Sequence, residues 1–378
     1  MKTLQIGMHW FQEDAGGLNR VYYDLLENLP AAGVEVKGLV AGRSSVIQES
    51  NGVVESFAPI HSSLLTRYFE LRKAVKKQLK DHDLIASHFA LYTFPLLSGT
   101  VKDFPIVTHF HGPWALECRE ESKSSISNLL RGKLEYICYQ KSRQFIVLSD
   151  AFKQILHCEY KVPLEKIHVI PAGVDFNKFN VSLSKSEARL HLGWSPDRPT
   201  MLVVRRLARR MGLENLVTAM KQVTRQQPDA LLLIAGKGGL ATALATQIRE
   251  LGLDNNVKLL GFVPDADLPI AYSAADFSIV PTVALEGFGL IVTESLAAGT
   301  PVLGTPIGGI PETLRPLSED LVFEGTESHY LASGILDVLN GDRKLPSSED
   351  CQTYIQKNYN WSSISCRVKQ VYEKALQS

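Results

Sequence analysis

The spacing of apolar residues along the chain switches repeatedly between a strand-like period of two and a helical period near 3.6. Residues 4–9 form a short apolar run that ends at His9. After a polar loop with Gly16 and Gly17, Leu18, Val21, Tyr22, Leu25, Leu26 and Leu29 recur on one helical face, which Gly33 closes. Residues 34–40 alternate like a half-buried strand, a basic helix is predicted over 64–80, and 84–88 and 106–109 read as short buried strands. Residues 145–148 and 167–170 continue the series up to the turn Pro171-Ala172-Gly173. Between 175 and 199 the periodicity weakens and Ser, Lys, Pro and Asp accumulate, so a linker is expected there. The alternation then restarts with strands over 201–204, 230–235, 257–260, 277–280 and 301–304. Helices over 213–226, 240–251, 268–274 and 290–298 separate them.

Strand, helix, strand in succession argues for βαβ units and a mostly parallel sheet. Two such series make this an α/β chain of two doubly wound, Rossmann-like domains, expected over residues 1–180 and 195–350. The helical segment 351–378, interrupted near Tyr359-Asn360-Trp361, lies outside the alternation and is expected to cross back to the first domain. A length of 378 residues at roughly 150 per domain agrees with two. Doubly wound sheets bind ligands beyond the carboxyl ends of their strands, and two such sheets facing each other enclose a cleft. The chemistry is therefore sought in the loops that follow strands.

Composition narrows the classes. At 45% hydrophobic and 21% charged the chain is neither disordered nor fibrous. Its 40 Lys+Arg balance 40 Asp+Glu, which argues against a dedicated nucleic-acid binder. No run approaches ~18 apolar residues, and the N-terminus lacks a secretory pattern. Five cysteines, an odd number with no C-x-x-C, read as reduced thiols of a cytoplasmic protein.

The densest candidate is Glu286-Gly287-Phe288-Gly289-Leu290-Ile291-Val292-Thr293-Glu294. Glu286 is expected at a strand's carboxyl end, and Gly287 and Gly289 let the backbone approach a ligand closely. The helix beginning near Leu290 turns its unpaired N–H groups toward the same loop. Glu294, in or near its first turn, either accepts the vicinal hydroxyls of a ribose or complements the helix dipole. Arg205-Arg206-Leu207-Ala208-Arg209-Arg210 follows another strand, with no acid before Glu214; a phosphate-binding cluster is favoured over a solvated run. In Thr108-His109-Phe110-His111-Gly112 two histidines sit in a strand-end loop, suited to a hydrogen bond with phosphate or sugar or to proton transfer. Gly16-Gly17 offers backbone N–H groups to an anion.

Three motifs fall short. Gly236-Lys237-Gly238-Gly239-Leu240-Ala241 lacks the third glycine of a dinucleotide fingerprint. Asp265-Ala266-Asp267 precedes a predicted helix and reads as capping rather than metal binding. No G-x-S-x-G elbow is present. The basic helix carries Arg67, Arg72, Lys73, Lys76, Lys77 and Lys80 among Leu64, Leu65, Tyr68, Leu71, Val75 and Leu79. It reads as a solvated face over a buried stripe, or as a peripheral contact with anionic lipid.

Glu286 and Glu294 stand as E-x7-E, followed by Ala298-Gly299-Thr300-Pro301-Val302 and Gly308-Gly309-Ile310-Pro311-Glu312. In this form the segment resembles the signature of the GT4 family of retaining GT-B glycosyltransferases. Gly16-Gly17, Ile170-Pro171-Ala172-Gly173-Val174-Asp175, Gly236-Lys237-Gly238 and Gly261-Phe262-Val263 follow in that family's order, so the resemblance covers nearly the whole chain. It implies a GT-B fold and transfer of a sugar from a nucleotide-diphosphate donor to a glycan or lipid-linked hydroxyl in polysaccharide biosynthesis. A UDP-sugar such as UDP-glucose is favoured over a GDP-sugar.

By the same resemblance Glu286 contacts the sugar's hydroxyls and Glu294 the ribose. Backbone groups of Gly287, Phe288, Gly289, Leu290 and Ile291 reach the sugar and diphosphate. Arg206 takes the position of the family's arginine; the family's lysine position holds Met211, so that role passes to Arg210. The loop histidine matches His109 or His111, and His111 is favoured because it precedes Gly112. Residues near Gly238, Phe262 and Val263 frame the base. The cations replace a metal, so no metal cofactor is expected. The implied location is cytoplasmic, at the inner face of the membrane if the basic helix touches lipid. The rivals are a nucleotide-sugar epimerase on the same architecture, for which no pair of acids is evident, and a non-catalytic sugar-nucleotide scaffold.

Overall fold

Short runs of aliphatic and β-branched residues, apolar on both faces, form the strands of two all-parallel sheets, as burial between helix layers requires. A computed structural model describes residues 1–101, 103–121 and 126–377. The chain divides into two units, Met1–Gly173 with Trp361–Ser378, and Val174–Asn360; Ser378 lies outside the described residues.

The first unit contains β1 (Lys2–His9), β2 (Glu35–Ala41), β3 (Val54–Ala58), β4 (Leu84–Ser87), β5 (Ile106–Phe110), β6 (Gln144–Val147) and β7 (Ile167–Val169), in the order β3-β2-β1-β4-β5-β6-β7. The second contains β8 (Thr200–Val204), β9 (Leu231–Ala235), β10 (Val257–Gly261), β11 (Phe277–Val280) and β12 (Val302–Gly304), in the order β10-β9-β8-β11-β12. In each sheet the strand order reverses once, between β1 and β4 and between β8 and β11. Loops that leave the two strands on either side of a reversal diverge and open a crevice, the preferred ligand position of this topology.

Two expectations about the boundaries differ from the structure. Residues 175–199, expected as a linker, hold the helices Phe176–Phe179 and Lys185–Leu192, the latter packed on the helix Leu268–Ala274 of the second unit. A capping box explains the second of these: Ser184 Oγ accepts from the Glu187 amide while the Glu187 carboxylate accepts from the Ser184 amide. The C-terminal segment 351–378 is also divided. The helix Ser348–Asn358 packs on the helix Leu290–Ala297 of the second unit. Only the helix Trp361–Gln377 joins the first, burying Ile364, Val368, Val371 and Tyr372 against the β5–β6 side of its sheet.

The basic helix spans Leu64–Gln78, and Leu71 and Val75 are buried as expected. Leu65 is instead 70% exposed, so the expected stripe is not wholly covered, and Phe69, outside that stripe, is 72% exposed.

Candidate functional site

At the reversal of the second sheet, the β8 and β11 loops bring a cation and an acid together. Arg205, the first residue after β8, forms an ion pair with Glu286, and both side chains are almost wholly enclosed. The Arg205 guanidinium also donates to Thr282 Oγ1 at 2.5 Å, and that hydroxyl donates to Glu286 Oε2 at 3.3 Å. Burial pushes the Glu286 carboxyl up, but the Arg205 charge and hydrogen bond, the Arg210 charge and the Thr282 hydroxyl outweigh it. The net result lies below the usual carboxylate range, so Glu286 is ionised at neutral pH. Its second oxygen accepts no hydrogen bond from the described residues and remains able to accept hydroxyl donors.

The loop is held by its backbone. Arg210 Nη1 donates to the Leu285 carbonyl at 2.9 Å, and Leu285 itself has a positive φ of 53°. The Gly309 amide donates to the Glu286 carbonyl at 3.0 Å. Gly308 has φ +57°, and a Cβ there would lie 1.9 Å from the Glu286 carbonyl oxygen, so only glycine fits. Gly289, at φ +79°, is the N-cap of the helix Leu290–Ala297 and supplies no side-chain cap, which leaves that helix's first amides for a ligand.

Glu294 lies just past the first turn of this helix, near the position expected, and is 9% exposed. Tyr272 Oη donates to its Oε2 at 3.1 Å, which orients the carboxylate. The remaining residues of the motif divide by burial. Gly287 and Phe288 are buried, Phe288 against Tyr359 at 5.7 Å between ring centroids, while Leu290 and Ile291 are half-buried.

Of the predicted cations, Arg206 is exposed and its side chain makes no hydrogen bond or ion pair among the described residues. Arg210 is half-buried beside Glu286. Arg205, which the sequence left unassigned, is the arginine that meets the acid. Near Gly238, Lys237 Nζ sits 5.0 Å above the ring of Phe262, which is 55% exposed; Val263 is half-buried. Asp265 pairs with Lys178, and Asp267 occupies the N-cap position of its helix without a side-chain capping bond, so the capping expected of the pair is only positional.

The first unit has its own cluster at the β1–β4 reversal. Gly16 is the extended, exposed N-cap of the helix Gly17–Asn28, again without a side-chain cap. Next to β1, three imidazoles stack: His88 lies 4.3 Å from His109 and 5.2 Å from His111 between centroids. His109 Nε2 bonds the Tyr372 hydroxyl at 2.7 Å and the side chain is buried. His111 Nε2 meets His88 Nδ1 at 3.0 Å, and its buried Nδ1 has no partner among the described residues. Among the described residues His109 bonds through Nε2 alone, while the unbonded nitrogen of His111, Nδ1, is the buried one. Burial pushes His111 down to about 4 and holds His88 and His109 well below the usual imidazole range, so all three are neutral at pH 7. His88, Gln5 and Tyr372 carried no sequence assignment; only the position of His88 at a strand end hinted at a role.

Two doubly wound parallel units, with ionised carboxylate, cations and an uncapped helix N-terminus at a sheet reversal, have the architecture of a GT-B glycosyltransferase. Residues 184–361 match the family model described as glycosyl transferases group 1, and residues 15–178 match glycosyltransferase family 4. The chain belongs to the GT4 family of GT-B glycosyltransferases and is a glycosyltransferase. It is 27% identical to an uncharacterized glycosyltransferase of Methanocaldococcus jannaschii over all of this chain and 99% of that one. It is 30% identical to a GDP-mannose-dependent monoacylated alpha-(1-6)-phosphatidylinositol monomannoside mannosyltransferase of Corynebacterium glutamicum, over 54% of this chain and 55% of that one. Among solved structures, Anabaena HepE in complex with UDP-glucose superposes with a TM-score of 0.79 at 22% identity, covering all of both chains, a likeness of fold.

Proposed function

We propose that the chain transfers a sugar, with retention of configuration, from a nucleotide-diphosphate donor to a hydroxyl of a glycan or lipid-linked acceptor in polysaccharide biosynthesis. The observation that carries this reading is the ionised, Arg205-held Glu286 beside the uncapped helix that bears the buried Glu294. Glu286 accepts hydroxyls of the donor sugar, and Glu294 accepts those of the ribose. Arg206, Arg210 and the first amides of the helix Leu290–Ala297 neutralise the diphosphate as it leaves, so no metal ion is required. Phe262 and Val263, with Gly238, frame the base. From the first unit, Gly16, Gly17 and His111 contribute to the reaction. The departing diphosphate takes the proton of the attacking hydroxyl on the same face, which preserves configuration without a covalent intermediate.

UDP-glucose is the favoured donor, supported by the likeness to HepE; the mannosyltransferase relative makes GDP-mannose the principal competitor. We place the protein in the cytoplasm at the membrane surface. The exposed Leu65 and Phe69 beside Lys73, Lys76 and Lys77 support contact with anionic lipid there. No helix among the described residues is long and apolar enough to cross a membrane.

A panel of UDP- and GDP-sugars, read by thermal stabilisation and by release of the nucleoside diphosphate, tests the reading. One donor is expected to stabilise the protein and turn over, with both effects lost in Glu294→Ala. Stabilisation without release, or equal effects in the variant, overturns it.

A further inference from the structure

The hydrogen bonds behind His111 run in one direction. Thr3 Oγ1 donates its single proton to the Glu35 carbonyl at 3.2 Å, so toward Gln5 it can only accept. Gln5 must therefore turn its amide nitrogen to Thr3, at 2.9 Å, and to the Tyr372 hydroxyl, at 3.3 Å. Its carbonyl oxygen then faces His88 Nε2 at 3.1 Å, which must carry the proton. A neutral imidazole protonated at Nε2 has a lone pair at Nδ1, and that lone pair receives the proton of His111 Nε2 at 3.0 Å. His111 is left with a lone pair on Nδ1, a buried atom without a partner among the described residues.

We propose that Thr3, Gln5 and His88 are positioning residues that lock His111 in its Nε2–H tautomer, so that its Nδ1 presents a hydrogen-bond acceptor to the reaction. An acceptor at that atom selects a hydroxyl and rejects a phosphate oxygen, which has no proton to give at neutral pH. The partner is accordingly a sugar or acceptor hydroxyl rather than the diphosphate; this assignment of the partner rests on the glycosyl-transfer reading, whereas the tautomer does not. The neighbours preserve the neutral state. Tyr22 packs edge-on to His88 at 5.0 Å, His109 stacks on its face, and Tyr372 lies edge-on to His109 at 5.8 Å. None of these groups brings a charge at pH 7, and the burial that holds His111 near 4 keeps it an acceptor through the physiological range.

Long-range nitrogen–proton correlation on histidine-labelled protein, with His111→Asn to assign the signal, reads the tautomer without any substrate. His111 is expected to be protonated at Nε2 and bare at Nδ1 at pH 7, and a mixture of tautomers in His88→Phe, which keeps the stacked ring but removes the acceptor. A proton on Nδ1 in the unaltered protein, or an unchanged tautomer in both His88→Phe and Gln5→Leu, overturns the proposal. Kinetics supply the second arm, with UDP-glucose as the probe. His88→Phe is expected to lower turnover about tenfold, as loss of an outer partner of a functional histidine does, with UDP binding unchanged. In the His111→Asn background it should cost nothing further; an additional tenfold loss there marks a merely structural residue and overturns the proposal. Absence of turnover in the unaltered chain counts against the transfer reading, and the nitrogen spectra still decide the tautomer.

Discussion

The Arg205–Glu286 pair sets a stability test that can be worked from its surroundings. Replacing Arg205 by Met removes the counter-ion of a carboxylate whose side chain is 12% exposed, and Glu286→Gln strands a guanidinium that is 9% exposed. Breaking a buried ion pair from one side typically costs about 3–5 kcal/mol. Here Thr282 remains as a partner and the Arg210 charge still acts on Glu286, so about 2–3 kcal/mol is expected for each single variant. In a unit of this length that lowers the unfolding temperature by about 4–12 °C. The double variant Arg205→Met/Glu286→Gln buries no charge at the pair and should recover to within about 1 kcal/mol of the parent. Scanning calorimetry of the four proteins at pH 7.5 measures this. Without Arg205, burial raises the Glu286 carboxyl, so the Arg205→Met deficit should shrink at pH 5.5, where the acid can be neutral. Additive losses, with the double variant worse than either single one, would refute the coupling and the picture of Glu286 as an enclosed, Arg205-held carboxylate.

Other consequences concern pH, the nucleotide and the cations. His111 falls from 6.5 to about 4 on folding, so its contribution is fully present above pH 6.5 and is lost as the pH falls toward 4. Between pH 7.5 and 5 this amounts to about 2 kcal/mol. Glu135, pushed up to about 7 by burial against its four donors, acts in the opposite sense over the same window, so the measurement is the difference in denaturant stability between the parent and His111→Asn. The variant should lose about 2 kcal/mol less on acidification; an identical slope contradicts the burial argument. Tyr272→Phe, which removes the hydroxyl on Glu294, should weaken binding of the nucleoside diphosphate by about 1 kcal/mol, roughly fivefold by titration calorimetry, and less than Glu294→Ala does. The Arg206 side chain is exposed and makes no hydrogen bond or ion pair among the described residues, so Arg206→Ala should leave the unfolding temperature in place while lowering turnover about 100-fold. Turnover should also survive a chelator; a requirement for added divalent cation would refute the role given to the arginines.

Much of this was legible because parallel strands buried on both faces read as unbroken apolar runs, Leu231–Ala235 most plainly. β3 escaped notice because Val54–Ala58 interleaves Glu55 and Ser56 with its apolar residues and is too short to show a period. The second helix of the supposed linker had a readable signal, Ser184 and Glu187 at capping-box spacing, masked by its polar composition. At the site, the E-x7-E spacing pointed to Glu286 and Glu294. The strand before the arginine cluster was legible to its last residue, Val204, but which of the clustered arginines turns inward was not, and the Arg205–Glu286 pair is a contact between the β8 and β11 loops that no local pattern announces. The relay behind His111 had no local pattern at all. Gln5, His88 and Tyr372 meet only because β4 and β5 follow β1 in the sheet and the last helix packs over them.

The central claim, transfer with retention and no covalent intermediate, is tested most directly by the anomeric outcome. Proton NMR would follow the sugar released or transferred from the α-linked nucleotide sugar that the donor panel selects, at times short of mutarotation. The α anomer should form first, at a rate that falls about 100-fold in Arg206→Ala. First formation of the β anomer, or a sugar trapped covalently on the protein, would contradict the account.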